Sequence, residues 1–114
     1  MAAQKIDKSA WRAFFDRLSR GLVGMRAEIE VASLALGDQI EAEWLPLLGI
    51  TYDPKGNVLE IALQGVDHLI YNPQEVWADT GGDALLNFEV IDGEGASQII
   101  KLREPLMLPA PGHG

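Results

Sequence analysis

The chain has 114 residues, of which 17 are acidic and 9 are basic, and its formal net charge is −8 at neutral pH. This length fits one domain, residues 1–114. The charge excludes a protein that binds nucleic acid through bulk electrostatics, because the phosphates would be repelled. The lack of cysteine excludes disulfides, thiol nucleophiles and iron–sulfur or zinc–thiolate sites.

The charge is divided unevenly along the chain. Residues 1–26 carry six basic and two acidic residues, a net charge of +4, whereas residues 27–114 carry three basic and fifteen acidic residues, a net charge of −12. This division is typical of an interaction arm, or of two parts that neutralise each other within one fold. Residues 1–8 are expected to be flexible. They lack the apolar run of a signal peptide, so we expect a cytoplasmic protein.

Residues 9–20 are predicted to form one amphipathic helix. Ser9 is the expected N-cap and Gly21 the expected left-handed stop. The apolar positions recur with helical spacing at Trp11, Phe14, Phe15 and Leu18. This aromatic stripe is expected to cover a hydrophobic core; exposed, it would be a docking face for a partner.

After Gly24 the apolar period changes from 3.6 to 2, which predicts strands. Arg26–Leu36 and Gln39–Leu45 are predicted to form a hairpin that turns at residues 37–38 and places Val31 opposite Trp44. In this register, four carboxylates share the face opposite to the apolar one: Glu28, Glu30, Glu41 and Glu43. Pro46 should end or bulge the second strand.

The remaining sequence predicts further short strands. Leu47–Tyr52 and Val58–Gln64 flank a turn at residues 53–57 with Gly56 in the left-handed position. Asp67–Tyr71 is a strand, and residues 72–77 begin like a short helical turn capped by Asn72. A last hairpin joins the strand around residues 86–90 to Ser97–Arg103, before a Pro- and Gly-rich tail at 104–114. The expected fold is α+β, with an N-terminal amphipathic helix packed on an antiparallel sheet or half-barrel of about six short strands.

Several stretches resemble an uncharacterised bacterial family of single-domain proteins, a domain of unknown function. They are W-x-x-F-F-D-x-L-S at 11–19, E-I-E-V at 28–31, L-P-L-L-G-I-T-Y-D-P-K at 45–55 and D-H-L-I-Y-N-P at 67–73. The resemblance extends from Trp11 to Arg103. It implies an independent bacterial domain, and no activity, cofactor or catalytic residue comes with it.

Asp67-His68 is an acid–histidine pair that invites a catalytic interpretation, since histidine is the usual general base near neutral pH. Adjacent residues of a strand point to opposite faces, however, so Asp67 is not expected to orient the His68 imidazole. The favoured interpretation is a half-buried histidine bonded to backbone or water. The alternative is an enzyme or small-ligand site that combines His68 with carboxylates, Tyr52 or Tyr71.

The four glutamates form the other candidate surface, because like charges across strands need water, cations or basic partners. Three interpretations remain open: a solvated face, a surface for basic groups of another protein or subunit, and a cation site. The helix arginines of a second copy are one source of such groups: Arg12, Arg17 and Arg20.

Together these features favour a non-catalytic binding or protein-interaction module, with a small enzyme or ligand-binding protein as the alternative. A homodimer or a complex with another protein is expected, with neither nucleic acid nor membrane as partner and without a cofactor or metal.

Overall fold

The computed structural model describes residues 3–22, 24–33, 37–81 and 84–103, with the backbone alone at 80, 81 and 84–86. These residues form one α-helix and eight β-strands, so the α+β class with an N-terminal helix and an antiparallel sheet is confirmed, while the strand number is eight rather than about six. Helix α1 spans Trp11–Leu22 and follows a 3-10 turn at Lys8–Ala10. The strands are β1 (Gln4–Ile6), β2 (Arg26–Ser33), β3 (Gly37–Asp53), β4 (Val58–Leu63), β5 (Val66–Tyr71), β6 (Glu75–Gly81), β7 (Ala84–Ile91) and β8 (Ser97–Arg103).

The strands form one antiparallel sheet in the order β1-β6-β7-β8-β2-β3-β4-β5. Its long strand β3 pairs with β2 through residues 37–46 and with β4 through residues 47–53. Pro46 lies where β3 changes partner, and its carbonyl accepts a hydrogen bond from the Gln64 N–H. The strand therefore continues through Pro46, with irregular pairing on both sides, and does not end there.

The inner face of this sheet encloses one hydrophobic core. Both halves of the sheet contribute fully buried side chains: Ile29, Phe88, Val90 and Ile100 from one half, Ile50, Leu59, Ile61 and Ile70 from the other. Helix α1 packs on β3, where the Ser19 Oγ accepts a hydrogen bond of 3.2 Å from the Ile50 N–H. The aromatic stripe of α1 covers this core, because Trp11 and Phe15 are buried and Phe14 and Leu18 are half-buried against it. The docking-face alternative for this stripe is therefore excluded.

The ends of α1 differ from the prediction. Asp7 caps the preceding 3-10 turn by accepting a hydrogen bond from the Ser9 N–H, so Ser9 donates to the cap instead of acting as one. The helix continues through Gly21 to Leu22, and the left-handed residue after it is Gly24, with φ +94°. A left-handed glycine is a common helix end, and here Gly24 supplies it while Gly21 stays helical.

The predicted register of the first hairpin is wrong. Val31 lies opposite Gln39, not Trp44, and Ser33 lies opposite Gly37, which belongs to β3 and not to the turn. Residues 34–36, between the two strands in the sequence, are outside the described residues. Alternation determines which face a side chain takes but allows several registers, and two irregularities within β2–β3 change the spacing further.

The predicted helical turn at residues 72–77 is also wrong, because Glu75–Gly81 form strand β6 between β1 and β7. Asn72 takes a left-handed conformation with φ +53° instead of a helix cap. Val76 and Ala78 alternate into the core. Burial of this apolar face together with pairing on both sides outweighs the local helix-start signal.

Two smaller corrections concern chain segments near turns. Gln4–Ile6, expected to be flexible, pair with β6 as an edge strand. In the turn after Asp53, the left-handed residue is Asn57, with φ +51°, rather than Gly56. The side-chain oxygen of Asn57 also accepts a 2.7 Å hydrogen bond from the Tyr52 hydroxyl. The tail at 104–114 lies outside the described residues.

Candidate functional site

Among the described strands, β5 forms one edge of the sheet, since within that part of the chain it pairs only with β4. The Asn72 N–H donates to the Asn57 carbonyl and extends the β4–β5 ladder by one hydrogen-bonded pair. Hydrogen-bonded pairs alternate in an antiparallel ladder, so residues 66, 68 and 70 direct their backbone groups at β4. The N–H and C=O groups of Asp67 and Leu69 therefore point away from the sheet.

The free edge of β5 also carries exposed apolar side chains. The exposed fractions are 41% for Val66, 40% for Leu69 and 62% for Tyr71. The opposite edge of the sheet, β1, is only three residues long and carries a lysine, which are features that discourage further strand pairing. Strand β5 lacks such protection, apart from one exposed carboxylate at Asp67.

The turn between β7 and β8 lies beside the end of β5. The Gly93 N–H donates a 3.2 Å hydrogen bond to the Tyr71 carbonyl, which agrees with an outward-facing Tyr71 backbone. A cleft of about 260 Å³ lies beside this hydrogen bond, between the end of β5 and the turn from β7 to β8. Its lining consists of Leu69, Tyr71, Asn72, Asp92, Gly93, Glu94 and Gln98. The edge of β5 thus leads directly into a cleft with an aromatic wall and two carboxylates.

The deepest polar residue of this cleft is Gln98, which is 7% exposed. The Gln98 Nε2 donates to the Asp92 Oδ2 at 2.9 Å, and the Gln98 Oε1 lies 2.6 Å from the His68 Nε2. Because the amide oxygen can only accept, His68 carries its proton on Nε2 in this arrangement. The Asp92 Oδ1 accepts hydrogen bonds from the N–H groups of Glu94 and Ala96, so this carboxylate holds the turn in shape.

His68 is therefore a half-buried residue bonded to a side-chain amide. It lies on the inner face with Ile61, its partner across β4, whereas Asp67 is exposed on the other side of β5. Gln98 separates the imidazole from the Asp92 carboxylate, and His68 does not line the cleft. Asp92 therefore does not orient the His68 imidazole directly, as the carboxylate of a catalytic triad orients its histidine.

The predicted glutamate ladder is divided in the structure. Glu28 and Glu30 lie opposite β8, where the Lys101 Nζ approaches their Oε1 atoms at 3.6 and 3.2 Å. Glu30 faces Ile40 on β3, whereas Glu41 and Glu43 are exposed. The cation that two of the four glutamates need is thus supplied by the same chain.

Glu30 also interacts with Asp38 at the start of β3. A side-chain hydrogen bond between them, which requires a proton, raises the pKa of Asp38, while that bond and Lys101 lower the pKa of Glu30. The folded protein therefore holds the Asp38 proton more tightly than the unfolded chain does. This contribution to stability is complete below the ordinary Asp38 pKa of 3.8 and is lost as the pH rises through the raised pKa.

We accordingly expect Asp38→Asn to raise the free energy of unfolding at neutral pH, because the amide donates to Glu30 without titrating. The gain should shrink as the pH falls and vanish below about pH 3.8, where Asp38 is protonated in both states. Urea denaturation at a series of pH values measures the difference between variant and wild type. A difference that stays constant from pH 3 to pH 8 would contradict the shared proton.

The three helix arginines, Arg12, Arg17 and Arg20, are exposed on α1. Among the described residues, none of them lies within ion-pair distance of a carboxylate. Arg12 borders a separate cleft of about 400 Å³ with Tyr52 and Lys55, between α1 and the turn that follows β3. The basic end of the chain therefore presents its charge to solvent on a different element from β5.

Comparison with known proteins adds the family. A family model described as a family of unknown function, DUF5335, matches residues 2–111. The chain belongs to the DUF5335 family. A protein of Aquifex aeolicus (strain VF5), named only as an uncharacterized protein, is 39% identical over 110 residues, which cover 96% of this chain and 99% of that protein. No solved structure gives a significant match.

Membership in DUF5335 confirms the resemblance to a family of unknown function, so the function is argued from geometry. In the described part of this DUF5335 chain, no group of three or more histidine or acidic side chains is arranged to hold a metal ion. The described helix is too short and too polar to cross a membrane.

Proposed function

We propose that this protein is an interaction module that binds an extended, basic and apolar segment of another protein along the free edge of β5. The observation that carries the proposal is the position of this edge. Its outward backbone groups, at Asp67 and Leu69, are continuous with the cleft beside Tyr71 and Glu94. An added strand would satisfy these groups, as in β-augmentation.

The side chains at the edge support an apolar component in the partner. Val66, Leu69 and Tyr71 are large and exposed, with Leu69 and Tyr71 on one face of β5 and Val66 on the other, so side chains on both faces of an added strand would cover them. Burial of apolar area is the dominant favourable contribution to such association. Tyr71 also offers an aromatic face to a lysine or arginine side chain.

Charge favours a basic partner over a second copy of this chain. Asp67 on β5 and Asp92 and Glu94 in the cleft give this surface three carboxylates. An antiparallel pair of β5 strands from two copies would bring these carboxylates close to one another, which costs free energy. A segment with alternating basic and apolar residues would instead neutralise them, so a homodimer through this edge is the less favoured occupant.

The test uses two fluorescein-labelled heptapeptides, one alternating lysine and valine and one alternating glutamate and valine. In fluorescence anisotropy at physiological salt, the lysine peptide should bind the full chain with saturation and the glutamate peptide should not. Leu69→Pro removes the outward N–H of β5 and leaves the ladder to β4 intact, so it should abolish binding. Glu94→Lys should weaken binding about tenfold.

The matched control is Glu43→Lys, which makes the same charge change at an exposed position of β3 and should leave the affinity unchanged. Equal binding of both peptides, or binding that survives Leu69→Pro in a folded variant, would overturn the proposal. A dimer in sedimentation equilibrium that Leu69→Pro dissociates would assign the edge to a second copy and would also overturn it.

A further inference from the structure

A second feature, independent of the proposed function, lies on β3 at Trp44. This residue has φ +52°, a left-handed conformation that is rare and strained for a bulky side chain. It lies in the irregular stretch of β3 opposite residues 27–29 of β2. Residues held in this conformation persist only when their surroundings stabilise it, so the contacts of Trp44 require an explanation.

Two arginines make those contacts. The Arg26 Nη1 donates a 2.9 Å hydrogen bond to the Trp44 carbonyl, and the Arg103 Cζ lies 4.0 Å from the centre of the Trp44 ring. Arg26 and Arg103 are also direct cross-strand partners in the β2–β8 ladder. Their guanidinium groups are therefore attached to the same residue from neighbouring strands.

This placement is electrostatically unfavourable without an anion, because like charges opposite each other on a sheet repel. The neighbouring carboxylates do not relieve it. Glu28 and Glu30 pair with Lys101, and within the described residues neither arginine lies within ion-pair distance of a carboxylate. The two arginines thus form a cationic pair held in place by the Trp44 ring and carbonyl.

We propose that Arg26, Arg103 and Trp44 form a binding site for the phosphate group of a small phosphate monoester. One hydrogen bond to Trp44 uses a single N–H of Arg26, and the guanidinium fork has further donors for two oxygen atoms. Two positive charges match a phosphate monoester dianion better than a monovalent carboxylate. The contact of the Arg103 guanidinium with the indole restricts this side chain and lowers the entropy lost when it binds.

The experiment follows the indole N–H of Trp44 by NMR while inorganic phosphate is added at constant ionic strength, with acetate as the monovalent comparison. Phosphate should shift this signal with saturation, and acetate should bind at least tenfold more weakly. Glycerol phosphate should bind like inorganic phosphate. Arg103→Lys keeps the charge but loses the fork, and it should weaken phosphate binding about tenfold.

Arg17→Lys, the same change at an exposed helix position, is the control and should leave phosphate binding unchanged. Thermal unfolding verifies that each variant is folded. The proposal fails if phosphate causes no saturable shift, or if Arg103→Lys and Arg17→Lys bind phosphate equally. It also fails if binding appears only after Glu104→Gln, because a carboxylate of the chain itself would then neutralise the arginines.

Discussion

Replacement of Phe15 by alanine is expected to lower the free energy of unfolding by about 3–5 kcal/mol. The Phe15 side chain is fully buried, and its ring centre lies 5.1 Å from that of Phe14 and 5.5 Å from that of Phe88 on β7. The cavity would open at the contact between α1 and the sheet. Because small domains have about 5–15 kcal/mol of stability in total, this loss is a large share.

Urea denaturation followed by circular dichroism measures the effect, and Phe14→Ala provides the matched control. Phe14 is only half-buried, so its removal exchanges part of the ring with water and should cost clearly less than the removal of Phe15. Equal losses for the two variants would contradict the assignment of Phe15 to the centre of the core.

Gly93→Ala should destabilise the protein by about 1–3 kcal/mol, because the added methyl group would overlap its neighbour. A Cβ atom at Gly93 would lie 2.7 Å from the Asn72 Cβ and 3.3 Å from the Asn72 carbonyl oxygen. Neither atom is the end of a flexible side chain, so the turn between β7 and β8 must move away from β5. That movement breaks the hydrogen bond from Gly93 to Tyr71, and hydrogen exchange should increase at the Gly93 amide.

The control is Gly21→Ala, the same substitution in helix α1. Apart from its chain neighbours and the backbone of its own helix, no atom of the described residues lies within 4 Å of a Cβ at Gly21, and the residue is helical, so this variant should be more stable than wild type by about 0.5–1 kcal/mol. Thermal and urea unfolding compare the two variants. A neutral Gly93→Ala would contradict the close approach of the turn to β5.

The fold class could be predicted from sequence because each element buries one face. The buried face is visible in the sequence as helical spacing at Trp11 and Phe15. In β4 it is visible as alternation at Leu59 and Ile61. Which strands pair, and in which register, is set by contacts between residues far apart in the sequence. A shift of a strand by two residues leaves every side chain on the same face, so the alternating pattern does not distinguish such registers. For this reason the β2–β3 register was wrong, and Glu75–Gly81 was not recognised as a strand between β1 and β7.

The candidate site was predicted less completely than the fold. The half-buried position predicted for His68 is confirmed, but the predicted partner, backbone or water, is wrong: the imidazole bonds to the Gln98 side chain, 30 residues away, and no local pattern connects them. The free edge of β5 depends on which strands lack a neighbour, and that property belongs to the whole sheet order. The sequence does carry one signal for this edge. Leu69 and Tyr71 share a face of β5 with the charged Asp67, and apolar residues on such a solvent-facing side are typical of an interaction surface.

The strand order also has a consequence for the kinetics of folding. Strands β3, β4 and β5 are joined by short turns and can pair as soon as they are synthesised, whereas β2 lies between β3 and β8, the last strand of the described chain. The N-terminal strand β1 likewise awaits β6. Closing a long loop costs chain entropy before the contacts that it brings together become favourable. Pairing of such distant strands is therefore slow, on the order of milliseconds to seconds. Helix α1 and the β2–β3 hairpin can therefore form early, whereas β1 and the second side of β2 find their partners only once β6 and β8 are present.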